Sequence, residues 1–219
     1  LLCVLTLISF ILPVYATNST STVVLPTNTL YGAGTTDDPW QISNCLDLAS
    51  LRQSKYFSTL AHPSNFILTD DIDCSDSINW NDGNGFPTIA PQIMYAPYEG
   101  VGAPPEHYFD GNNHTITGIY TNWDAQESGF GLFAFIGVGA TVKNLKIENA
   151  TLKNIGTTQP EVHNGLLSMY NLGTIENVSV NGTIEARGTS GLLASINAGV
   201  IKESSASGSI ISEGGDGDH

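Results

Sequence analysis

Basic side chains are scarce in this sequence: seven Lys and Arg stand against 21 Asp and Glu, a formal charge of −14. So acidic a surface repels phosphate backbones, which excludes nucleic acid as a partner and disfavours an anionic membrane surface. Divalent cations, neutral glycans and plain solubility remain compatible with it, and solubility is the simplest reading. Zinc motifs are missing too. There is no His-Glu-x-x-His and no Cys-x-x-Cys, and His62, His107, His114, His163 and His219 have no metal-ligand spacing. No metal or cofactor is therefore expected. No Gly-x-Ser-x-Gly elbow frames a serine, so a Ser-His-Asp triad has no anchor and no catalytic residue is assigned.

Long apolar runs are absent after residue 16. Residues 1–16 (LLCVLTLISFILPVYA) carry no charge and end in Val14-Tyr15-Ala16, the form of a signal-peptidase site. A membrane span needs about 20 apolar residues, so export is expected and a membrane span is not. With no initiating Met and no basic n-region, the chain is expected to begin slightly inside its reading frame. Cys3 lies in this leader, which leaves Cys45 and Cys74 as an even pair in an oxidising compartment. A disulfide between them is expected; two buried free thiols are the alternative. Asn18, Asn113, Asn149, Asn177 and Asn181 each open an Asn-x-Ser/Thr sequon, relevant only where the host glycosylates exported proteins.

What is present is 41% hydrophobic residues, enough to bury a continuous core in 219 residues. Residues 17–39 are rich in Ser, Thr and Asn and read as a linker or lead-in segment. From Trp40 the pattern changes: Ile42, Cys45, Leu46, Leu48, Ala49 and Leu51 recur at helical spacing, with Ser43 or Asn44 as the N-cap. One short helix is predicted there. Phe66-Ile67-Leu68 reads as a strand, followed by a polar cluster at 69–76 and a loop-rich stretch to about residue 105.

After Tyr108, helical periodicity is lacking and short β-branched runs alternate with Gly and Asn. Gly165-Leu166-Leu167-Ser168 recurs about 26 residues later as Gly191-Leu192-Leu193-Ala194, with an earlier copy at Gly131-Leu132-Phe133-Ala134. Gly173-Thr174-Ile175-Glu176-Asn177-Val178 keeps the same step to Gly199-Val200-Ile201-Lys202-Glu203-Ser204, and Asn181-Gly182-Thr183-Ile184 to Ser207-Gly208-Ser209-Ile210. The copy beginning Ala140-Thr141-Val142-Lys143-Asn144-Leu145 lies further upstream than that step, which places an insertion near residues 155–163. Three sub-motifs in step define a repeat. Each unit reads as three short strands, at Gly-Leu-Leu, at Ile-x-Asn-Val and at Gly-Thr-Ile, that together make one coil of a parallel β-helix. Successive coils stack about 4.8 Å apart, so equivalent apolar residues form inward columns. An antiparallel sandwich is the rival fold but requires no such echo.

These Gly-Leu-Leu and Gly-Leu-Phe copies, each followed by a Gly-x-Ile-like strand, resemble the GLUG repeats of exported bacterial and archaeal surface proteins. The segments at 66–74 and 108–119 are similar to the stretch that opens such domains, so the resemblance covers residues 40–211. It implies an all-β fold, a right-handed parallel β-helix of the pectate-lyase-like type, as found in adhesins. It implies no particular chemistry, because the repeats of that group are scaffold.

Candidate sites have competing structural readings. Asp70, Asp71, Asp73 and Asp76 could supply oxygens to Ca²⁺, but Asx turns and caps explain the same residues. Residues 214–219 are similar to a calcium-binding nonapeptide, except that His219 stands where an Asp is needed. Asp110 and His114 are the one acid and His pair close in sequence; a general-base role competes with a turn at Asp110-Gly111. Lys143, Lys146 and Lys153 read as outward strand or turn residues. Trp40, Trp80, Trp123, Tyr95, Tyr98, Tyr108 and Tyr120 are sugar-stacking candidates, or cover for the open end of the β-helix.

The layout expected is a signal peptide at 1–16, the lead-in at 17–39, an N-terminal cap with one helix at 40–107, the parallel β-helix at 108–211 and a polar tail at 212–219. The function expected is a secreted or cell-surface scaffold for adhesion or binding, with a glycan or a host or cell-surface protein as partner. A polysaccharide-acting lyase or hydrolase and a structural surface-layer component are the alternatives. Because the sequence stops mid-repeat, further domains are expected downstream.

Overall fold

In residues 140–154 and 174–186 buried side chains occupy every second position, and the alternation skips one place at Asn144, at Asn149 and again at Asn177. Alternation of this kind makes strands with one buried face. The computed structural model describes residues 29–52, 56, 64–89, 107–122, 129–155 and 162–212; the leader, the tail, Asn18, His62, Tyr95, Tyr98, Trp123 and His219 lie outside them. Strand β1 (Trp40–Ile42) precedes helix α1 (Cys45–Ser50). Then come β2 (Asn65–Leu68), β3 (Ile72–Asp73), β4 (His107–Asp110), β5 (Thr115–Thr117), β6 (Tyr120–Asn122), β7 (Gly129–Phe130) and β8 (Phe133–Ile136). The long β9 (Ala140–Asn154) leads to β10 (His163–Gly165) and β11 (Ser168–Asn171). Next, β12 (Thr174–Ala186) leads to β13 (Thr189–Gly191) and β14 (Ala194–Asn197), and β15 (Val200–Lys202) and β16 (Ser205–Ser212) close the series.

The fold is all-β in character, with strands in three sheets, and every pairing between these strands is parallel. The main sheet runs β1-β2-β4-β9-β12-β15, with β3, β5, β6 and β16 paired alongside; the others run β7-β10-β13 and β8-β11-β14. Registers carry the repeat directly: Ile175 pairs with Ile201, Val180 with Ala206 and Gly165 with Gly191, each one repeat unit on. Leu166 N–H donates to the Leu192 carbonyl at 3.3 Å. Trp40 pairs with Phe66 at the same step, so the main sheet begins at β1.

Inward columns form the core. Val142, Ile175, Val180 and Ile184 have no accessible surface, and Leu145, Ile147, Leu152 and Val178 have almost none. Each contributes about 1.5–3 kcal/mol on burial. At the β1 end, Ile42 is fully buried although β1 is an edge strand, because α1 adds Leu48, Ala49 and Leu51 to the core. Asn44 caps α1, its Oδ1 accepting the Asp47 N–H at 2.9 Å, while Asp47 Oδ2 accepts from Ser43 in return. The Cys45–Cys74 disulfide, with Cα atoms 5.3 Å apart, ties α1 to the segment after β3.

Three local expectations change. Ile42, counted in the helical stripe, lies instead on a strand ahead of the Asn44 cap, because it pairs with Leu68. Gly-Leu-Leu is a bend, not a strand: β10 ends at Gly165 and β11 starts at Ser168. The Gly is obligatory there, since a Cβ on Gly165 or Gly191 would collide with the carbonyl oxygen of Ser168 or Ala194. The Ile-x-Asn-Val and Gly-Thr-Ile runs fuse into the single strand β12.

Candidate functional site

The main sheet bends at 110–114, 143–146, 176–179 and 202–205, and polar side chains collect at this bend. Asn112, Asn113, Asn144, Asn177 and Glu203 all adopt positive φ, between 50° and 65°. Asn tolerates that region better than other chiral residues because its short amide bonds locally. The left-handed residue turns the chain and preserves the inward phase of Leu145 and Val178. Asn144 Nδ2 donates to Asp110 Oδ1 at 3.0 Å, and Asn177 Nδ2 donates to Asn144 Oδ1 at 2.9 Å. These amides form a ladder whose donors all point toward the carboxylate. It stops at Glu203, whose side chain has no N–H to pass on. A recess of about 220 Å³ runs beside it, lined by Asn113, Asn144, Lys146, Asn177, Ser179 and Glu203 among others.

Most charges around the bend, Glu203 apart, are matched in pairs. Asp110 Oδ2 lies 3.3 Å from Lys143 Nζ, and Asp110 Oδ1 also accepts the Asn112 N–H. Lys143 sits over the Tyr108 ring, 5.4 Å from its centre. Lys146 pairs with Glu148, Lys202 with Glu176, and Lys153 with Glu185. The bond from Glu185 holds the Lys153 ammonium above its ordinary range. Asp71 Oδ1 accepts the Thr115 N–H at 2.8 Å and lies 3.2 Å from His114 Nδ1. The backbone bond first, and His114 second, keep the Asp71 carboxyl below its usual value.

The expected Asp110 and His114 pair is thus not a pair. Asp110 belongs to Lys143 and the amide ladder, and the partner of His114 is Asp71, 43 residues upstream. Of the acidic cluster, Asp73 accepts the Ser75 N–H, which lowers its carboxyl, and Asp76 accepts from Asn79 and Trp80. Asp70 accepts from Thr69. These are turn and cap bonds. Among the described residues no three His, Cys, Asp or Glu converge as a metal ion would require. No helix of the described residues is long and apolar enough to cross a membrane. Trp80 stacks on Phe86, and Trp40 meets Tyr56 edge-on.

Three features went unseen in the sequence. Aligning the repeats puts Asn144, Asn177 and Glu203 in one column, which signals a ladder, but only coordinates show where the donors point. The Asp71–His114 contact joins separate turns at a spacing unlike the repeat, so no periodicity marks it. The last is the aromatic stack of Phe135 on Tyr170, with His163 edge-on to Tyr170; its column was hidden because β8 and β11 pair at a longer offset than the repeat.

No family model matches the sequence. It is 32% identical over 160 residues to Halomucin of Haloquadratum walsbyi, a match covering 73% of this chain and 2% of the length of that protein. In structure it is similar to a "putative immunoglobulin A1 protease" from Bacteroides ovatus, with a TM-score of 0.45 and 20% identity over 74% of this chain and 44% of the other.

Proposed function

We propose that this chain is an exported scaffold, a right-handed parallel β-helix that presents a stacked polar surface for adhesion or binding at a cell surface. One observation carries the reading: the charged and amide side chains at the centre of the bend are bonded to one another from turn to turn, as in Asp110–Asn144–Asn177 and Asp110–Lys143. A catalytic centre keeps an acid or base unpaired and aimed at substrate; a scaffold pairs them. The apolar leader and the Cys45–Cys74 disulfide support export to an oxidising compartment. Residues 40–107 then serve as cap and 108–211 as the helix proper, with a glycan or surface protein as ligand along the recess.

A second reading, a polysaccharide-acting enzyme, is favoured by the Asp71–His114 contact beside the recess. Incubation of the purified chain with a polysaccharide panel, followed by reducing-end and unsaturated-product assays, separates the two. The scaffold predicts binding without cleavage, and binding that Asp71→Asn and His114→Gln leave intact. Cleavage abolished by either substitution would overturn it. Ordered self-assembly without any ligand would instead favour a structural surface-layer component.

A further inference from the structure

Four of the five sequon asparagines lie among the described residues, and the fold treats them differently. Asn177 Nδ2 donates to Asn144 Oδ1 at 2.9 Å, and Asn181 Nδ2 donates to Ser207 Oγ at 2.9 Å. Both amides are joined to neighbouring turns. Asn149 is exposed, and its amide makes no hydrogen bond within the described residues. Its backbone explains why. Val180 pairs with Ile147 and Gly182 with Ala150, so Asn181 alone faces the two residues Glu148 and Asn149. Asn149 is therefore on a β-bulge, at φ 53°, and a bulge re-aims a side chain away from the ladder. Thr151, the hydroxyl of the sequon, is on the adjoining strand segment and is partly exposed. Asn113 also carries an unbonded amide, but it lines the recess beside Asn144 and Lys146.

We infer that Asn149 is the principal N-glycan acceptor among the described residues of the folded chain, and that Asn177 and Asn181 serve as ladder residues and stay unmodified. The co-reactant is an oligosaccharide on a lipid diphosphate. Asn149 Nδ2 forms a bond to the anomeric carbon, the bond from that carbon to the phosphate oxygen breaks, and the lipid diphosphate leaves with the electron pair. One amide proton passes to the transferase. In a cell this rests on the export reading; on purified protein it does not, so the two can fail separately.

The test uses the purified, disulfide-bonded chain, a single-subunit oligosaccharyltransferase shown to accept synthetic peptides of all four sequons, and peptide mass spectrometry of site occupancy. Relative to the matching peptides, Asn177 and Asn181 of the folded chain should fall behind Asn149 by at least about fivefold, the factor one net hydrogen bond imposes. Asn113 should fall between them. Thr151→Ala, which leaves Asn149 in place, should remove the dominant product of these four sites. Equal occupancy of Asn177 or Asn181, dominance of Asn113, or an unmodified Asn149 whose peptide is accepted would each overturn the assignment.

Discussion

The two ends of the main sheet place the same kind of residue in opposite surroundings. Beside β1, the edge residue Ile42 is fully buried under α1, and Leu48 and Leu51 have no accessible surface. In the last described turn, Ile201 and Ile210 are 39% and 44% exposed, although their partners one turn earlier, Ile175 and Ile184, are fully buried. Pattern and pairing are alike, and burial differs. An inward position in a stack of parallel strands is buried by its neighbours, so its energetic weight depends on the strand it occupies.

The first way to break the contrast is to release the β1 end. Cys45→Ser with Cys74→Ser opens a loop of 29 residues and should cost about 3–4 kcal/mol on the chain-entropy model, read from the urea midpoint. No shift would mean that α1 holds that end by apolar contact alone. Next, in the 219-residue chain, Ile175→Ala should cost about 2–4 kcal/mol, whereas Ile201→Ala, one strand further, should cost less than about 1 kcal/mol. Equal losses would erase the distinction between the two turns.

Acid sharpens it at the β1 end. His107 is buried in β4, its Nδ1 accepting the Ser64 N–H at 2.9 Å, and burial lowers its pKa. The folded pKa lies below the unfolded one, so the stabilising effect is whole above the unfolded value of about 6.5 and is lost as pH falls from there through the folded pKa. The slope should be at most about 1.4 kcal/mol per pH unit, and His107→Asn, which keeps an acceptor, should flatten it. The smallest effect belongs to the last turn: Glu203→Asn relieves a left-handed Glu and supplies the N–H that Asn177 Oδ1 lacks. A gain of about 1 kcal/mol is expected, and a loss would show that the ladder contributes nothing there.

Much of the parallel stacking was legible because a fixed repeat step leaves few ways to pair strands: Ile175 with Ile201 and Gly165 with Gly191 follow from counting. The Cys45–Cys74 bond followed from the count of cysteines outside the leader. Periodicity and the cap at Ser43 or Asn44 gave α1, but the helical stripe also took in Ile42 of β1, since Ile42 suits a helical stripe and a buried strand equally. The site was harder to see. Asp71 meets His114 through the geometry of a turn, whereas Asp110, weighed in sequence as a general base beside His114 or as a turn residue, takes the turn: it accepts the Asn112 N–H and does not touch that histidine. Short-range neighbours mislead where the chain's nearest contacts lie a whole coil away.

The length of chain between coils is not the same everywhere. From β12 to β15 and β16 every pair keeps one step, while from β9 to β12 the step is longer and shortens by a single place beyond the bulge. Asn154 and His163 stand nine positions apart, where their partners Ala186 and Thr189 stand only three apart. Length and register are thereby uncoupled: the chain can gain or lose residues between those two pairs while the paired strands on either side keep their partners.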